Sequence, residues 1–569
     1  MNYKIFFSCI LSCATGLIVE IHGQNRIWTN VKVSLNSYYV SPTGDDSNSG
    51  ASPVDAWQTV RNVNDLDLNP GDRVFFEGGK TYDGSLSFDS LDSGTKLNPV
   101  VISSFGKGRA TINSGRKTGA YVHNAGGFEI RNINFVGSGA DDSEGENGIY
   151  FYNDLSDGTK LEHVRIDSVD VSGYRDAGIV IGSGQTSNCG FRNVRITNAE
   201  SHDNGDKGIS VSAHWPSKPG DRSHRDIYVG NSKAYDNLGI IGKDPHTGNG
   251  IIISGVDTAL IEYCEAYNNG ENNNGSKGGP IGIWAWEASH VIIQFCESHH
   301  NKTGEINRKD GGGFDLDGGC VNSVMQYNYS HDNYGAGYGI YQFSGASPFT
   351  NNVVRYNISE NDGLIGGYGA ITFWSTSSSG GIQNTKVYNN TLYVSPNTGG
   401  AGIIDFVGAT SYIHDTEVYN NIIITAPGKT VLNIPNSSGG WAFRGNCYWT
   451  VDDQLSIGWD GTTYTSLETW REATGQEMLD SKNVGFSIDP KLTDPGNGKT
   501  IGDPTKLATH SAYQLQSNSP MIDAGLNLDD LFGIDSGLRD FYGATLPQFN
   551  GFDVGAHESE QISSAQDNK

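Results

Sequence analysis

Between about Gly127 and Trp449 the chain alternates apolar and polar residues in short bursts, most of them opened by a glycine. GIYFY begins at 148, GIVIG at 178, GISVS at 208, GIIIS at 250 and GIWAW at 282. The series continues as GFDLD at 313, YGIYQF at 338, YGAITFW at 368 and GIIDF at 402. A second family of alternating runs lies between these (FRNVRIT, HVIIQFCES, NSVMQYNYS, NNVVRYNIS), together with Asn/Asp-rich turns such as SHDNGD and SHHNKTG. Period-two alternation predicts strands, and the bursts recur mostly near every 30 residues. Each unit then holds about three strands that cannot bury a core alone. Stacked in parallel, the units bury one continuous apolar column. No 3.6-residue period appears, which excludes a helical solenoid, and the repeats are short for propeller blades. The pattern predicts an all-β fold, a right-handed parallel β-helix with about 30 residues per coil.

The flanking text departs from this repeat. Residues 24–126 predict an N-terminal cap and first coil, 127–450 the β-helix, and 451–558 a C-terminal cap with a short helix over 466–474. The tail 559–569 is expected to be disordered. Residues 1–23 read as a secretory signal peptide, with Lys4, an apolar run and small residues before Gln24. The protein is therefore expected in the periplasm or outside the cell, with lipoprotein anchoring at Cys13 as the alternative. No other stretch has the apolar length of a membrane span.

Composition narrows the function. The 76 glycines and 27 tyrosines suit turn-rich β structure. A net charge of −26 argues against a nucleic-acid partner, which needs clustered Lys and Arg. Five cysteines follow the signal segment (Cys189, Cys264, Cys296, Cys320 and Cys447), too sparse and odd in number for a disulfide framework. Cys264 and Cys296 occupy equivalent repeat positions, as stacked thiols or as a bridge. The chain is expected to act as a monomer.

Alternation assigns faces. With Phe314 and Leu316 inward, Asp315 and Asp317 point outward. The same reading places Trp284, Trp286, Gln342, Ser344, Trp374 and Asp405 outward on neighbouring coils. Exposed tryptophans on a secreted protein suit stacking on sugar rings, unless a loop folds over them. Two aspartates on alternate positions of one strand have Cα atoms about 7 Å apart, near the separation an acid/base pair needs for glycoside hydrolysis. A calcium site and a solvated strand end are the competing uses of that pair. Glu287 and Asp405 are candidate third carboxylates.

Arg308 and Lys309 lie just before the aspartates, and Lys207, Lys243 and Lys277 fall in equivalent loops. Such a basic rim suits an anionic sugar, or a lyase in which Lys or Arg removes a proton beside a uronate. Solvated loop lysines are the plain alternative. His202, His299 and His331 belong to the repeated turn S-H-(D/H)-N, whereas His300 breaks it and is the histidine with a candidate catalytic role. Asp45 and Asp46 could ligate calcium or simply hold an Asx turn.

The opening YYVSPTGDDSNSG…PGDRVFF, the closing SPMIDAG…DVGAHE and the coils between resemble secreted bacterial right-handed β-helix carbohydrate-active proteins. That resemblance spans nearly the whole mature chain. It implies a polysaccharide-degrading enzyme, either a glycoside hydrolase or a polysaccharide lyase. The hydrolase reading, with Asp315 and Asp317 as the acid/base pair, needs no cofactor. The lyase reading has Lys309 or Arg308 as base, with Ca2+ as a possible cofactor. A non-catalytic glycan-binding protein is the third reading.

Overall fold

A computed structural model describes residues 36–559, apart from 185–187, 217, 219, 245, 379, 408–411 and 452–453. The proposed signal segment and residues 560–569 lie outside the described residues. The chain is an all-β parallel solenoid of about 11 turns with about 31 residues per coil. Coil length varies through the loops. Ser210 pairs with Ile252 and Asp315 with Gly339, coils of 42 and 24 residues.

One sheet of fourteen strands runs the length of the solenoid. Seven of its consecutive strands matter here: β1 (Lys207–Ser212), β2 (Asn249–Ser254), β3 (Ile281–Trp286), β4 (Gly312–Leu316), β5 (Tyr338–Gln342), β6 (Ile371–Ser375) and β7 (Ala401–Asp405). Their inward residues Ile209, Ile251, Ile283, Phe314, Tyr338, Ile371 and Ile403 stack in register, all at 0% exposure. They belong to one apolar column running from Val40 to Trp470.

Asparagine ladders bind the coils to one another. The side-chain amide of Asn301 donates to Asn333 Oδ1 at 2.9 Å, and the Asn301 backbone N–H donates to the same oxygen. Asn204, Asn237 and Asn269 repeat this upstream, and Asp362 ends the row. A second row runs Asn328, Asn357, Asn390, Asn421 and Asn446, ending on Glu477. Each amide satisfies turn backbone that the interior would otherwise leave unpaired. The residue before each asparagine of the first row has positive φ: Asp203, Asp236, Asn268, His300 and Asp332 lie between 52° and 54°. Asn, Asp and His are the non-glycine types that take this conformation most readily, which explains the repeated turn motif. Cys264 and Cys296 are free, buried thiols, stacked and not bridged, with the Cys264 N–H donating to Cys296 Sγ at 3.4 Å.

At the C-terminal end Trp459, Leu467 and Trp470 close the core. The helix Leu467–Thr474 starts where the sequence predicts it, with Ser466 Oγ accepting from the Thr469 N–H at 3.2 Å. The rest of the C-terminal region does not stay on the last coil. Residues 486–556 turn back along the flank of the second, 26-stranded sheet and pack on its residues Tyr329, Ile358, Ile422 and Cys447. Gly498 donates to Glu360, and Ile501 and Gly502 donate to Glu297 at 2.7 Å. The Lys233 ammonium donates to Gly502 O at 3.1 Å. Lys233, Glu265, Glu297, Tyr329, Ile358, Thr391, Ile422 and Cys447 form one in-register column. This strap therefore covers eight coils. No helix among the described residues is long and apolar enough to cross a membrane.

Candidate functional site

On the outer face of the fourteen-stranded sheet, Ser210, Ile252, Trp284, Asp315, Gly339, Thr372 and Ile404 form one column. A second column lies beside it. One residue beyond the paired positions Ala285 and Leu316 come Trp286 and Asp317, and the Asp317 N–H continues the ladder to Ala285 O at 2.8 Å. Tyr341 and Trp374 pair further along that column. Of these residues Trp284, Trp286, Asp317, Tyr341 and Trp374 floor a cleft of about 430 Å³, and Asp315 lies buried next to them at 2% exposure.

Aromatic side chains form its walls. Trp215, on the loop after β1, packs against Trp286 at 5.8 Å and Phe343 at 5.7 Å. Tyr341 meets Trp374 edge-on at 6.3 Å, and Tyr368 stacks on Phe406 at 4.8 Å. Trp284 is only 4% exposed. Its indole N–H donates to Asn249 Oδ1 at 3.0 Å, and His246 meets its ring edge-on at 5.2 Å. The covering loop that was the alternative to a bare Trp pair is thus present over Trp284, through His246. Trp286 stays half-buried and lines the cleft.

Asp317 and Asp310 line the cleft, and the Asp315 carboxyl is buried behind it. Burial, then the charge of Asp317, pushes Asp315 well above the usual carboxylate range. Burial also raises Asp317, to about 7, against a 2.6 Å hydrogen bond from the Gly318 N–H. Asp310, accepting from the Gly279 N–H at 2.7 Å, is raised by burial too. Among the buried polar atoms of the described residues that lack a hydrogen-bond partner, three sit together here: Asp315 Oδ1, Trp286 Nε1 and Tyr341 Oη. Such atoms cost about 1–3 kcal/mol each and cluster where a ligand supplies the missing bonds.

Lys277 and Lys309 line the cleft, and among the described residues neither forms an ion pair. Lys207 and Lys243 do not belong to that rim. Both pair with Asp206, which burial would raise but which the two ammonium groups hold down at about 2. Arg308 is also turned away, pairing with Glu305 at 2.9 Å on an exposed loop.

Several predicted site residues lie elsewhere. Gln342 is not on the outer face. Tyr338 and Ile340 point inward, so Tyr341 faces out, while Gln342 is fully buried at the coil corner. There it accepts from the Gly319 N–H and donates to Ser347 O, both at 3.0 Å. Asp405 has the same fate, because it aligns with inward Phe373 and leaves Ile404 facing out. Glu287 is buried against Arg222 and accepts from the Ser347 N–H at 2.7 Å, a structural ion pair. His300 belongs to a histidine group on the second sheet and does not line the cleft. Asp45 and Asp46 hold turns: Asp45 accepts from Ser47, and Asp46 from Gln58 and Thr59. The residues that the sequence reading missed are Trp215, Asp310, Tyr341, Phe343, Tyr368 and Phe406. Only Tyr341 carried a signal, since strict alternation from Ile340 turns it outward.

No protein-family model and no curated protein matches the chain. Among solved structures it is similar to a GH136 lacto-N-biosidase from Eubacterium ramulus, 17% identical, TM-score 0.50 over 67% of this chain and 68% of that one. It is also similar to pectate lyase Pel9A, 16% identical, TM-score 0.43 over 93% of this chain and 98% of that one. At these identities the likeness is one of fold. The chain resembles β-helix carbohydrate-active enzymes.

Proposed function

We propose that the protein is a secreted glycoside hydrolase acting on a polysaccharide, with Asp315 and Asp317 as its reacting pair. The observation that supports this most is the pairing of unlike carboxyls under aromatic walls. Burial and the charge of Asp317 push Asp315 well above the usual carboxylate range, and burial raises Asp317 to about 7. A protonated carboxyl beside one that ionises first is the division of labour glycosidic cleavage requires. Asp315 gives its proton to the leaving oxygen, and Asp317 takes one from the attacking water. Trp286, Trp215 and Trp374 bind the sugar faces, and Tyr341 and the Trp286 indole N–H hydrogen-bond its hydroxyls.

Lys309 supports a second reading. As an unpaired cation in the cleft beside Asp310, it suits a lyase base for a uronate-containing polymer. Incubation with neutral and uronic polysaccharides separates the two. A hydrolase gives new reducing ends without ultraviolet absorbance, and a lyase gives both. If Asp315→Asn and Asp317→Asn keep near-normal turnover on the substrate found, the assignment of the pair is wrong. A protein that retains polymer in an affinity gel yet releases no ends is a binding module.

A further inference from the structure

The second sheet holds a histidine group that the cleft does not use. His299 and His331 pair in register on adjacent coils, their rings stacked at 4.7 Å. His299 Nε2 lies 3.2 Å from Glu265 Oε1, and His331 Nε2 lies 3.3 Å from Glu297 Oε1. A carboxylate at Nε2 holds a hydrogen on that nitrogen and leaves Nδ1 as the nitrogen that faces the neighbouring groups. His331 Nδ1 is 2.9 Å from Asp332 Oδ2, and His299 Nδ1 is 2.9 Å from His300 Nδ1. A lone pair facing a carboxylate oxygen at that distance needs a cation between them, either a proton or a metal ion.

His300 favours the metal. It takes the positive-φ position that Asp203, Asp236, Asn268 and Asp332 fill in the other coils. There it adds an exposed imidazole standing perpendicular to both His299 and His331. The donor atoms of His300, His331 and Asp332 all lie within 4.8 Å of one another. We propose that His300, His331 and Asp332 bind one zinc-class divalent ion, with His299 beside them, and that this ion staples two successive coils. Imidazole nitrogens with a single carboxylate suit zinc, nickel or copper over calcium or magnesium. The carboxylates behind His299 and His331 are the outer hydrogen-bond partners that metal-bound histidines use.

The test uses the full chain without an affinity tag, stripped with a chelator and titrated with zinc chloride at neutral pH by calorimetry. One ion per chain is expected, together with a zinc-dependent rise in melting temperature. His300→Asn and Asp332→Asn each install a residue that Asn268 and Asn361 show to be accepted at this turn position. Each should weaken binding about tenfold or more and abolish the zinc-dependent rise, with an unchanged circular dichroism spectrum. Absence of zinc uptake by the wild-type chain overturns the proposal and leaves a proton in that place. Uptake that both variants retain at wild-type affinity also overturns it.

Discussion

Arg222 Nη1 lies 3.2 Å from Glu287 Oε2, both side chains almost fully buried at 4% and 1% exposure. Arg222 also donates to Gly319 O at 3.0 Å. The pair thus ties the loop after β1 to the residues just beyond Trp286 and Asp317. Removing the carboxylate leaves a buried guanidinium unpaired, which costs about 3–5 kcal/mol. Glu287→Gln should lower the midpoint of urea unfolding accordingly. A change within about 0.5 kcal/mol, the ordinary range for surface substitutions, would refute the structural role and reopen a chemical one.

Activity should follow the ionisation of Asp317. Its carboxyl, raised by burial to about 7, must be ionised to act as base. The rate kcat/KM should therefore climb as pH rises from 5 to about 7. Asp317→Asn should remove the rise along with the activity. A flat profile from pH 5 to about 8 in the wild-type enzyme would contradict the assignment.

Trp286 should contribute binding rather than chemistry. Losing its half-buried ring costs about 1–2 kcal/mol of sugar contact, roughly tenfold in KM. Trp286→Ala should show that KM increase with kcat within a few-fold of wild type. Equal losses in kcat and kcat/KM would instead place the ring in the transition state.

The end of the first asparagine row titrates. Burial raises Asp362 to about 7 although it accepts from Ser359 and Asn333. The folded carboxyl holds its proton more tightly than the unfolded one, whose pKa is about 3.9. Its stabilising contribution is therefore complete below about pH 4 and lost as pH rises through 7, on the order of 4 kcal/mol in all. Asp362→Asn supplies a neutral isostere. Denaturant unfolding should show the wild type losing stability between pH 5 and about 8 with the variant losing much less. Parallel curves would exclude Asp362 as the source.

Much of the fold was legible because a solenoid repeats its rule. GIIIS, GIWAW and GFDLD state the same alternation, and stacking turns any one register into all of them. Trp284, Trp286, Asp315 and Asp317 were placed outward correctly for that reason. The rule misled at strand ends. Gln342 and Asp405 are polar and fall close to the pattern, yet turn backbone satisfies them inside the coil. Glu287 was misread because its partner Arg222 is 65 residues away in a loop of no repeat. Trp215, Tyr368 and Phe406 escaped notice because loop conformation, not alternation, brings them over the sheet. His300 stood out as a break in the turn motif, but a sequence does not say which sheet a turn faces.

The strap bears on how such a chain can change over generations. A free solenoid gains or loses a whole coil at little cost, since each coil touches only its neighbours. Here the returning segment bonds Lys233 and Glu297 through Gly502, and Glu360 through Gly498. Inserting or deleting one coil between Lys233 and Cys447 would shift every later anchor by about 4.8 Å against a segment that has not lengthened. The strap thus acts as a ruler, and duplication of coils is confined to the stretch ahead of Lys233.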